Sequence, residues 1–310
     1  SHTLDGANSV TFSIPVVYDS GNVENNGFSY DEHLTVDGTR LDWYNTTSTA
    51  LTAKLNTSTA ENLDTPFQSW TDALVLTDAS HLLALQKAIN AGDNASINTL
   101  YQLGGREAPT NYDEARLILQ TAYYRLGSDI IVGDTAFTGI GSSSYPFGGH
   151  LDGQGHTVTL TINSTGTSDS YFGLFGNIDV VGGSEAVLRN LNVTSTIIAS
   201  SSAAMAYVGG LAGRVNHNAL QLEDVAVTVN GITATSTSAS TSASLQVGGL
   251  FGSGSVPADS TVSLTVAGAI SGTGRAGSVY AGGAMGNGSV YSPITVIFEN
   301  SAAVTAENTG

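Results

Sequence analysis

The sequence predicts a mainly β fold, a β-solenoid with an α+β N-terminal cap, and three observations lead to it. The 310 residues include 37 Gly and only 11% charged residues, a composition that favours strands and tight turns over helices. A glycine-rich hexapeptide recurs four times, and a strand-like segment separates its copies. Repeats of this length cannot bury an apolar face alone, so they must stack into coils.

The recurring hexapeptide ends in glycine in every copy. The copies occupy residues 171–176, 208–213, 247–252 and 281–286, at nearly equal intervals. Glycine tolerates both a close approach of two backbones and a positive φ. We therefore expect the hexapeptide at a bend where one coil passes into the next, with its glycines meeting both demands.

The segments between the hexapeptides alternate apolar and polar residues. They occupy residues 188–193, 222–227, 262–266 and 294–298. Alternation with a period of two predicts a strand with one buried and one exposed face. A β-propeller is the main alternative, but each blade needs four strands, and these repeats supply two or three. The expected form is a right-handed parallel β-helix.

The N-terminal part of the chain lacks the repeats. Residues 8–18 are predicted to form a strand. A helix is predicted over 78–91, because Asp78 can cap its start, apolar residues follow at helical spacing, and Gly92 can end it.

A second helix is predicted over 112–125, with Thr110 or Asn111 as its cap and Gly127 at its end. A strand is predicted at 130–132. We interpret the helices as a cap over the open end of the solenoid, where strand edges would otherwise be exposed. The predicted organisation is a β-rich segment over 1–75, a helical cap over 76–130 and the solenoid over 131–310.

The stretch FGGHLDGQGH at 147–156 contains two histidines around an aspartate. Its Asp152-Gly153-Gln154-Gly155 segment has the composition of a turn, in which Asp bonds its own backbone and Gly takes a positive φ. His156 then begins the next strand. The alternative is a metal site formed by His150, Asp152 and His156, although their spacing matches no recognised zinc pattern.

Charge and cysteine content exclude several function classes. Nine Lys and Arg stand against 26 Asp and Glu, a net charge of −17, which repels nucleic acid and anionic membranes. The absence of Cys excludes thiol catalysis and zinc–thiolate sites. No apolar run is long enough to span a membrane. We expect no cofactor; Ca²⁺ binding is compatible with the charge but has no specific support.

The order of these features resembles the GLUG-repeat β-solenoids of bacterial surface proteins. The residues that carry the resemblance are a helix at 78–91, the segments 146–149 and 151–158, the Arg-Asn-Leu-x-Val strand at 189–193 and the Val-Gly-Gly-Leu-x-Gly repeats. The resemblance covers roughly residues 75–300; the segment between Gly92 and Ser128 departs from it. The GLUG-repeat β-solenoids include large adhesins and the non-catalytic N-terminal region of the immunoglobulin A protease family of metallopeptidases.

The resemblance implies a non-catalytic, surface-displayed bacterial adhesin module, extracellular and at the cell wall. We expect it to be part of a longer multidomain chain and to bind a glycan or glycoprotein of a host or neighbouring cell. Aromatic residues outside the repeats suit such a ligand, although Trp and Tyr also form cores. The candidate ligand-binding residues are Trp43, Tyr44, Trp70, Tyr123, Tyr124 and Tyr145.

Two alternatives remain open. One is a structural stalk or accessory domain of a larger surface protein, such as a secreted metallopeptidase. The other is a polysaccharide lyase or glycosidase of the β-helix type, for which Arg189, Arg214, Glu223 and Asp224 form the best charged group. A glycosidase needs two carboxylates at a fixed separation, and nothing pairs Asp179, Glu185, Glu223, Asp224 and Asp259. We therefore predict no catalytic residue and no metal ligand.

Overall fold

The computed structural model describes residues 9–12, 34–36, 39–45, 51–55, 65–133, 136–168, 170–216 and 219–309. The chain divides into two compact units, Ser1–Pro66 and Phe67–Gly310. In the first unit, antiparallel strands form one sheet in the order β1-β4-β3-β2. These strands are β1 (Ser9–Phe12), β2 (Leu34–Val36), β3 (Thr39–Asn45) and β4 (Leu51–Leu55). The predicted strand over 8–18 is thus found at Ser9–Phe12, and residues 8 and 13–18 lie outside the described residues.

The second unit is a β-solenoid, as predicted, and its coils stack with parallel pairing into three sheets. Sheet 1 contains β5 (Leu74–Leu76), β6 (Tyr123–Leu126), β7 (Ile130–Val132), β8 (His150–Asp152), β9 (Thr157–Gly166), β12 (Ala186–Ser201), β15 (Leu220–Ser236), β18 (Val262–Val266), β19 (Ile270–Gly274), β22 (Thr295–Phe298) and β23 (Val304–Asn308). Sheet 2 contains β10 (Ser170–Phe172), β13 (Met205–Gly209), β16 (Ser244–Gly248) and β20 (Ser278–Gly282). Sheet 3 contains β11 (Phe175–Ile178), β14 (Ala212–Val215), β17 (Phe251–Val256) and β21 (Met285–Val290).

Each coil passes through sheets 1, 2 and 3 in that order, and equivalent residues of successive coils stack. Leu188 of β12 stands opposite Leu222 of β15, and Val227 of β15 stands opposite Leu264 of β18. All four side chains are buried. Because the strands are parallel and in register, the alternating pattern places one apolar row inside and one polar row outside in every coil.

The glycine hexapeptide joins sheet 2 to sheet 3 within one coil. A Cβ on Gly252 would lie 2.5 Å from the backbone nitrogen of Val208, and one on Gly286 would lie 2.5 Å from that of Val247. None of the hexapeptide glycines has a positive φ. We expected these glycines also to adopt a positive φ at a bend between coils, and that expectation was wrong. They are glycines because sheets 2 and 3 pack backbone against backbone.

Three helices lie between β5 and β6: α1 (Ala79–Ala91), α2 (Asn94–Leu103) and α3 (Tyr112–Thr121). Helix α1 begins and ends as predicted, because the Asp78 side chain accepts from the backbone of Ser80 and Gly92 adopts φ 64°. Helix α2 was not predicted. It begins where the Asp93 side chain accepts from the N–H of Ser96.

Helix α3 begins after its predicted cap, Asn111, but it ends at Thr121 rather than at residue 125. Residues Tyr123–Leu126 form β6 instead, and they pair with β5 and β8. The predicted helix was too long because these four residues alternate between half-buried and buried positions. Pairing with two neighbouring strands outweighs local helix propensity.

Helix α1 closes the N-terminal end of the solenoid through two amide side chains. Gln86 donates to the carbonyl of Ala136 and accepts from the N–H groups of Thr138 and Gly139, at 2.7–3.0 Å. Asn90 donates to the carbonyl of Gly139 at 2.9 Å and accepts from the N–H of Gly141 at 2.8 Å. These side chains thereby take the place of a neighbouring strand, which agrees with the interpretation of the helices as a cap.

Candidate ligand-binding face

The structure brings only some of the predicted aromatic residues together. Trp43 and Tyr44 lie on β3 of the first unit, and their side chains lie outside the described part of the chain. Tyr124 is fully buried, and its hydroxyl donates to the carbonyl of Leu119. Tyr145 is exposed and has the Arg116 guanidinium 3.1 Å from its ring centroid. We therefore build the candidate site around the remaining pair, Trp70 and Tyr123.

Trp70, Tyr123 and His150 form a half-buried aromatic cluster on the outer face of sheet 1. Trp70 lies on a short 3-10 helix, Trp70–Asp72, that precedes β5. Its ring meets that of Tyr123 edge to face, with centroids 4.8 Å apart. The register of β6 and β8 places Tyr123 opposite His150, and these two rings lie 4.1 Å apart. His150 thus joins the candidate site as an aromatic residue, a role that the sequence did not reveal.

The environment of His150 favours a neutral imidazole. Burial lowers its pKa, because a charged ring would lose hydration. Its Nε2 lies 3.4 Å from the Ser184 hydroxyl, and its Nδ1 is buried with no hydrogen-bond partner among the described residues. A neutral ring packs against Tyr123 without the cost of burying a charge.

Arg189 connects the aromatic cluster to a buried carboxylate. Its guanidinium lies 3.8 Å from the Trp70 ring centroid, and its Nε and Nη2 donate to Asp152 Oδ2 at 3.0 and 2.8 Å. The Asp152 side chain is only 2% exposed. A guanidinium held by a carboxylate on one side is well placed to stack on an indole face. Arg189 thereby holds Trp70 in one orientation.

Asp152 also forms the predicted turn. Its Oδ1 accepts from the N–H of Gln154 at 3.0 Å and from the Asn190 amide at 3.2 Å. Gln154 and Gly155 have φ values of 52° and 80°. Burial raises the pKa of Asp152, but the hydrogen bonds from Gln154, Asn190 and Arg189 outweigh it, so the pKa lies below its ordinary value.

The geometry does not support the alternative metal site. His150 packs on Tyr123, Asp152 binds Arg189, and the His156 ring lies 3.2 Å from the Asp129 carboxylate. These side chains therefore face separate partners. In residues 65–309, apart from the short undescribed gaps, no group of three His, Asp or Glu side chains is arranged to hold a metal ion.

A polar groove adjoins the cluster along one corner of the solenoid, with a volume of about 500 Å³. Its lining residues are Gln154, Gly155, Asn190, Asn192 and Asp224. Asn190 and Asp224 have φ values of 47° and 54° and occupy the same corner in successive coils. Asn and Asp tolerate this backbone better than most residues, so the corner carries amides and carboxylates.

The aromatic cluster and the groove form one continuous surface, because Asn190 contacts Asp152 and Asp152 contacts Arg189. We call it the polar-aromatic face. Its members are Trp70, Tyr123, His150, Gln154, Arg189, Asn190, Asn192 and Asp224, and the buried Asp152 holds Arg189 and Asn190 in place.

One residue of the charged group considered for a lyase, Arg214, lies apart from the other three. Arg189 stands opposite Glu223 in sheet 1, but its guanidinium binds Asp152. Arg214 lies on β14 in sheet 3, with its guanidinium near Tyr207. Asp179, one of the carboxylates considered for a glycosidase, accepts a hydrogen bond from Asn216. Arg189, Glu223 and Asp224 therefore share sheet 1, whereas Arg214 lies in sheet 3.

No family model and no solved structure matches this chain. The chain is similar to halomucin of Haloquadratum walsbyi (strain DSM 16790 / HBSQ001), with 32% identity over 107 residues. The match covers 30% of this chain and 1% of halomucin. A β-solenoid that is similar over part of its length to halomucin fits a surface-associated module. Among the described residues, no helix has the length and apolar character required to cross a bilayer.

Proposed function

We propose that this protein is a non-catalytic adhesin module, displayed at a bacterial cell surface, which binds a glycan or glycoprotein through the polar-aromatic face. The observation that carries the proposal is the Trp70 indole, held by Arg189 beside a groove of amides and carboxylates. Sugars present apolar C–H faces, which pack on aromatic rings, and hydroxyl groups, which bond to planar polar side chains.

The rigidity of the face supports this proposal. The residues around Trp70 lie on β6, β8 and β12, which pair with one another in a parallel sheet. Asp152 holds Arg189, and Arg189 holds Trp70. A ligand that binds side chains already fixed in place loses less entropy than one that must order them.

The charge of the protein narrows the ligand class. The net charge is −17, the groove contains Asp224, and the Arg189 guanidinium is already paired with Asp152. Sialylated or sulfated sugars would be repelled by this surface. We therefore propose that the ligand is a neutral glycan.

Glycan-array binding of purified Trp70→Ala, Tyr145→Ala and unaltered protein, with Ca²⁺ and with a chelator, tests the proposal. We expect Trp70→Ala to weaken binding by about tenfold or more. Tyr145→Ala is the matched control, because it removes an exposed aromatic ring outside the face and should leave affinity unchanged. Circular dichroism verifies that both variants fold. Equal losses in both variants would contradict this location of the site.

A second substitution tests the groove separately. Asp224→Asn keeps the shape of the side chain and its tolerance of positive φ. It should lower the affinity for a neutral sugar by severalfold, because a charge-assisted hydrogen bond to a hydroxyl becomes a neutral one. Asp259→Asn is the control, since Asp259 has a similar φ of 58° but does not line the groove.

A structural stalk or accessory domain is the second candidate, favoured by the in-register pairing of β8, β12, β15, β18 and β22 across successive coils. Such a ladder resists bending and separates whatever lies at its two ends. If the folded protein binds no glycan and no mucin-type glycoprotein, that result would favour the stalk. Release of sugar products from any substrate would contradict both candidates and would favour a lyase or glycosidase.

A further inference from the structure

A second cavity lies where β9 of sheet 1 passes into β10 of sheet 2. Its volume is about 190 Å³, and Asn90 of the capping helix α1 contributes to its wall. We call it the cap cavity. The groove of the polar-aromatic face lies just before β9, whereas the cap cavity adjoins Thr165 and Gly166 at the end of β9. A strand rises about 3.3 Å per residue, so the 10 residues of β9 separate the two places by about 30 Å.

The lining of the cap cavity is uncharged and rich in hydroxyl groups. Its hydroxyl-bearing residues are Thr138, Ser142, Thr165, Ser168, Ser170 and Tyr171. Asn90 adds an amide, and no lining residue is charged. An ion would leave water here without a counter-charge, which is costly. A neutral molecule with several hydroxyl groups can instead exchange its hydrogen bonds with water for bonds to these side chains.

One wall of the cap cavity is an aromatic ring that is stacked on one face. Tyr171 lies on β10, and its ring stacks on that of Tyr207 in the next coil, with centroids 5.2 Å apart and planes 13° apart. Among the described residues, β10 is the first strand of this ladder, so no ring of a preceding coil stacks on the other face. The stack holds the Tyr171 ring in place, and the ring can receive the apolar C–H face of a ligand.

The hydroxyl of Tyr171 is a free hydrogen-bonding group in a residue that is otherwise enclosed. Tyr171 is only 8% exposed, yet its hydroxyl has no hydrogen-bond partner among the described residues and is not itself buried. The hydroxyls of Thr165 and Ser168 also have no partner in the described part of the chain. All three residues line the cavity, so a ligand there can reach three groups that both donate and accept.

The volume of the cap cavity limits the size of its ligand. Pockets for drug-sized molecules measure about 300 to 1,000 Å³, and the cap cavity is smaller. A single sugar ring presents both an apolar C–H face and several hydroxyl groups. We propose that the cap cavity binds one neutral monosaccharide, with its ring against Tyr171 and its hydroxyl groups on Tyr171, Thr165 and Ser168. This proposal does not rest on the polar-aromatic face.

Saturation-transfer NMR with the methyl glycosides of glucose, galactose and mannose tests the proposal. The protein carries Trp70→Ala, so that the polar-aromatic face does not contribute. We expect transfer to at least one glycoside, and a titration then measures its dissociation constant. Adding Tyr171→Phe should weaken this binding by about threefold or more, because it removes a hydrogen bond and keeps the ring. Tyr207→Phe is the matched control, since Tyr207 stacks in the same ladder but does not line the cavity.

A second pair of variants tests the location without altering Tyr171. Thr167 and Ser168 are exposed neighbours between β9 and β10, but only Ser168 lines the cavity. Ser168→Trp places an indole at the cavity and should abolish the transfer, whereas Thr167→Trp should leave it unchanged. Melting temperatures verify that each variant folds. These exposed positions still decide the question if Tyr171→Phe does not fold.

Two results would overturn the proposal. One is the absence of transfer to all three glycosides in the folded Trp70→Ala protein, which would mean that the cavity holds only water. The other is equal binding by Ser168→Trp and Thr167→Trp. Glycan-array binding by Tyr171→Phe with Trp70 intact should match that of the unaltered protein, because the two sites lie about 30 Å apart. Array binding therefore tests the polar-aromatic face, glycoside binding tests the cap cavity, and either proposal can fail without the other.

Discussion

At both ends of the solenoid the outermost strands have a strand partner on one side only within the described residues: β5, β7 and β10 at one end, and β20, β21, β22 and β23 at the other. The two ends differ in the side chains that contact the neighbouring backbone. At the N-terminal end, Gln86 and Asn90 of α1 bind the backbone of residues 136–141, as a further strand would. At the C-terminal end, β20, β21 and β22 remain unpaired on their outer side in the described part of the chain. The comparison shows that side chains of a helix can satisfy backbone groups at one end of a solenoid where no strand pairs with them.

The largest expected effect comes from glycines inside the stack. Gly252→Ala places a Cβ 2.5 Å from the Val208 backbone nitrogen, between strands held on both sides, and should cost about 3 kcal/mol or more of unfolding free energy. Gly286→Ala meets Val247 at the same distance, but its coil can move outward. We expect roughly half the cost there, measured by urea denaturation.

Gly231→Ala is the control for both glycine substitutions. Its Cβ would lie 3.8 Å from the nearest atom, the Ala269 carbonyl oxygen, and its φ is not positive. Its effect should stay within about 1 kcal/mol. Equal costs at Gly252 and Gly286 would contradict the view that the last coil is free to shift.

The next effect concerns the closed end. Gln86→Met keeps the length of the side chain but removes the hydrogen bonds to Ala136, Thr138 and Gly139. The N–H groups of the half-buried Thr138 and the buried Gly139 lose this acceptor, which should cost about 2 to 3 kcal/mol. Hydrogen exchange of Thr138 and Gly139 should become faster. Gln102→Met, at an exposed position of α2, is the control and should have little effect.

A third test uses the lowered pKa of Asp152. A carboxyl group whose pKa is lower in the folded than in the unfolded state stabilises the fold at pH values above its unfolded-state pKa. This stabilisation is lost as the pH falls through the folded-state pKa. Asp152→Asn should therefore destabilise the protein by about 2 kcal/mol at pH 7, and the difference should shrink below about pH 4.

Urea denaturation at a series of pH values measures this dependence. Asp259→Asn is the control, because Asp259 is exposed. A cost for Asp152→Asn that stays constant down to pH 2 would indicate that the ion pair with Arg189 does not stabilise the fold.

The smallest effect is expected at the open end. Val266 and Phe298 occupy the same ladder, but Val266 is buried and Phe298 is half exposed. Val266→Ala should cost about 2 kcal/mol, whereas Phe298→Ala should cost less than about 1 kcal/mol because most of its ring already contacts water. A larger loss for Phe298 would mean that its ring caps the solenoid, and the comparison of the two ends would need revision.

Much of the solenoid could be predicted from repeated local patterns. The alternation at 188–193 and 222–227 predicted strands whose leucines stack, and the structure confirms this. The glycine hexapeptide predicted close backbone contact correctly and positive φ incorrectly. The turn at Asp152 and both ends of α1 followed from residues near in sequence.

The candidate face could be predicted only in part. Trp70 and Tyr123 were identified as aromatic residues outside the repeats, but the sequence did not connect them to His150 or Arg189. Those contacts depend on the register of β6, β8 and β12, which joins residues more than twenty positions apart along the chain. Asn190 and Asp224, which adopt positive φ, lie where a polar residue interrupts the alternation of each strand, and that interruption was the available sequence signal.

The sequence by itself determined that this protein stacks coils, because short alternating strands that recur at a fixed period, with too few strands for a propeller blade, bury their apolar face against the next repeat. Only the tertiary structure decided where α3 ends, how Gln86 and Asn90 close one end, and which side chains surround Trp70. The physical reason is distance along the chain. Propensity and alternation act between near neighbours, whereas these features depend on hydrogen bonds and ring contacts that form once distant strands are in register.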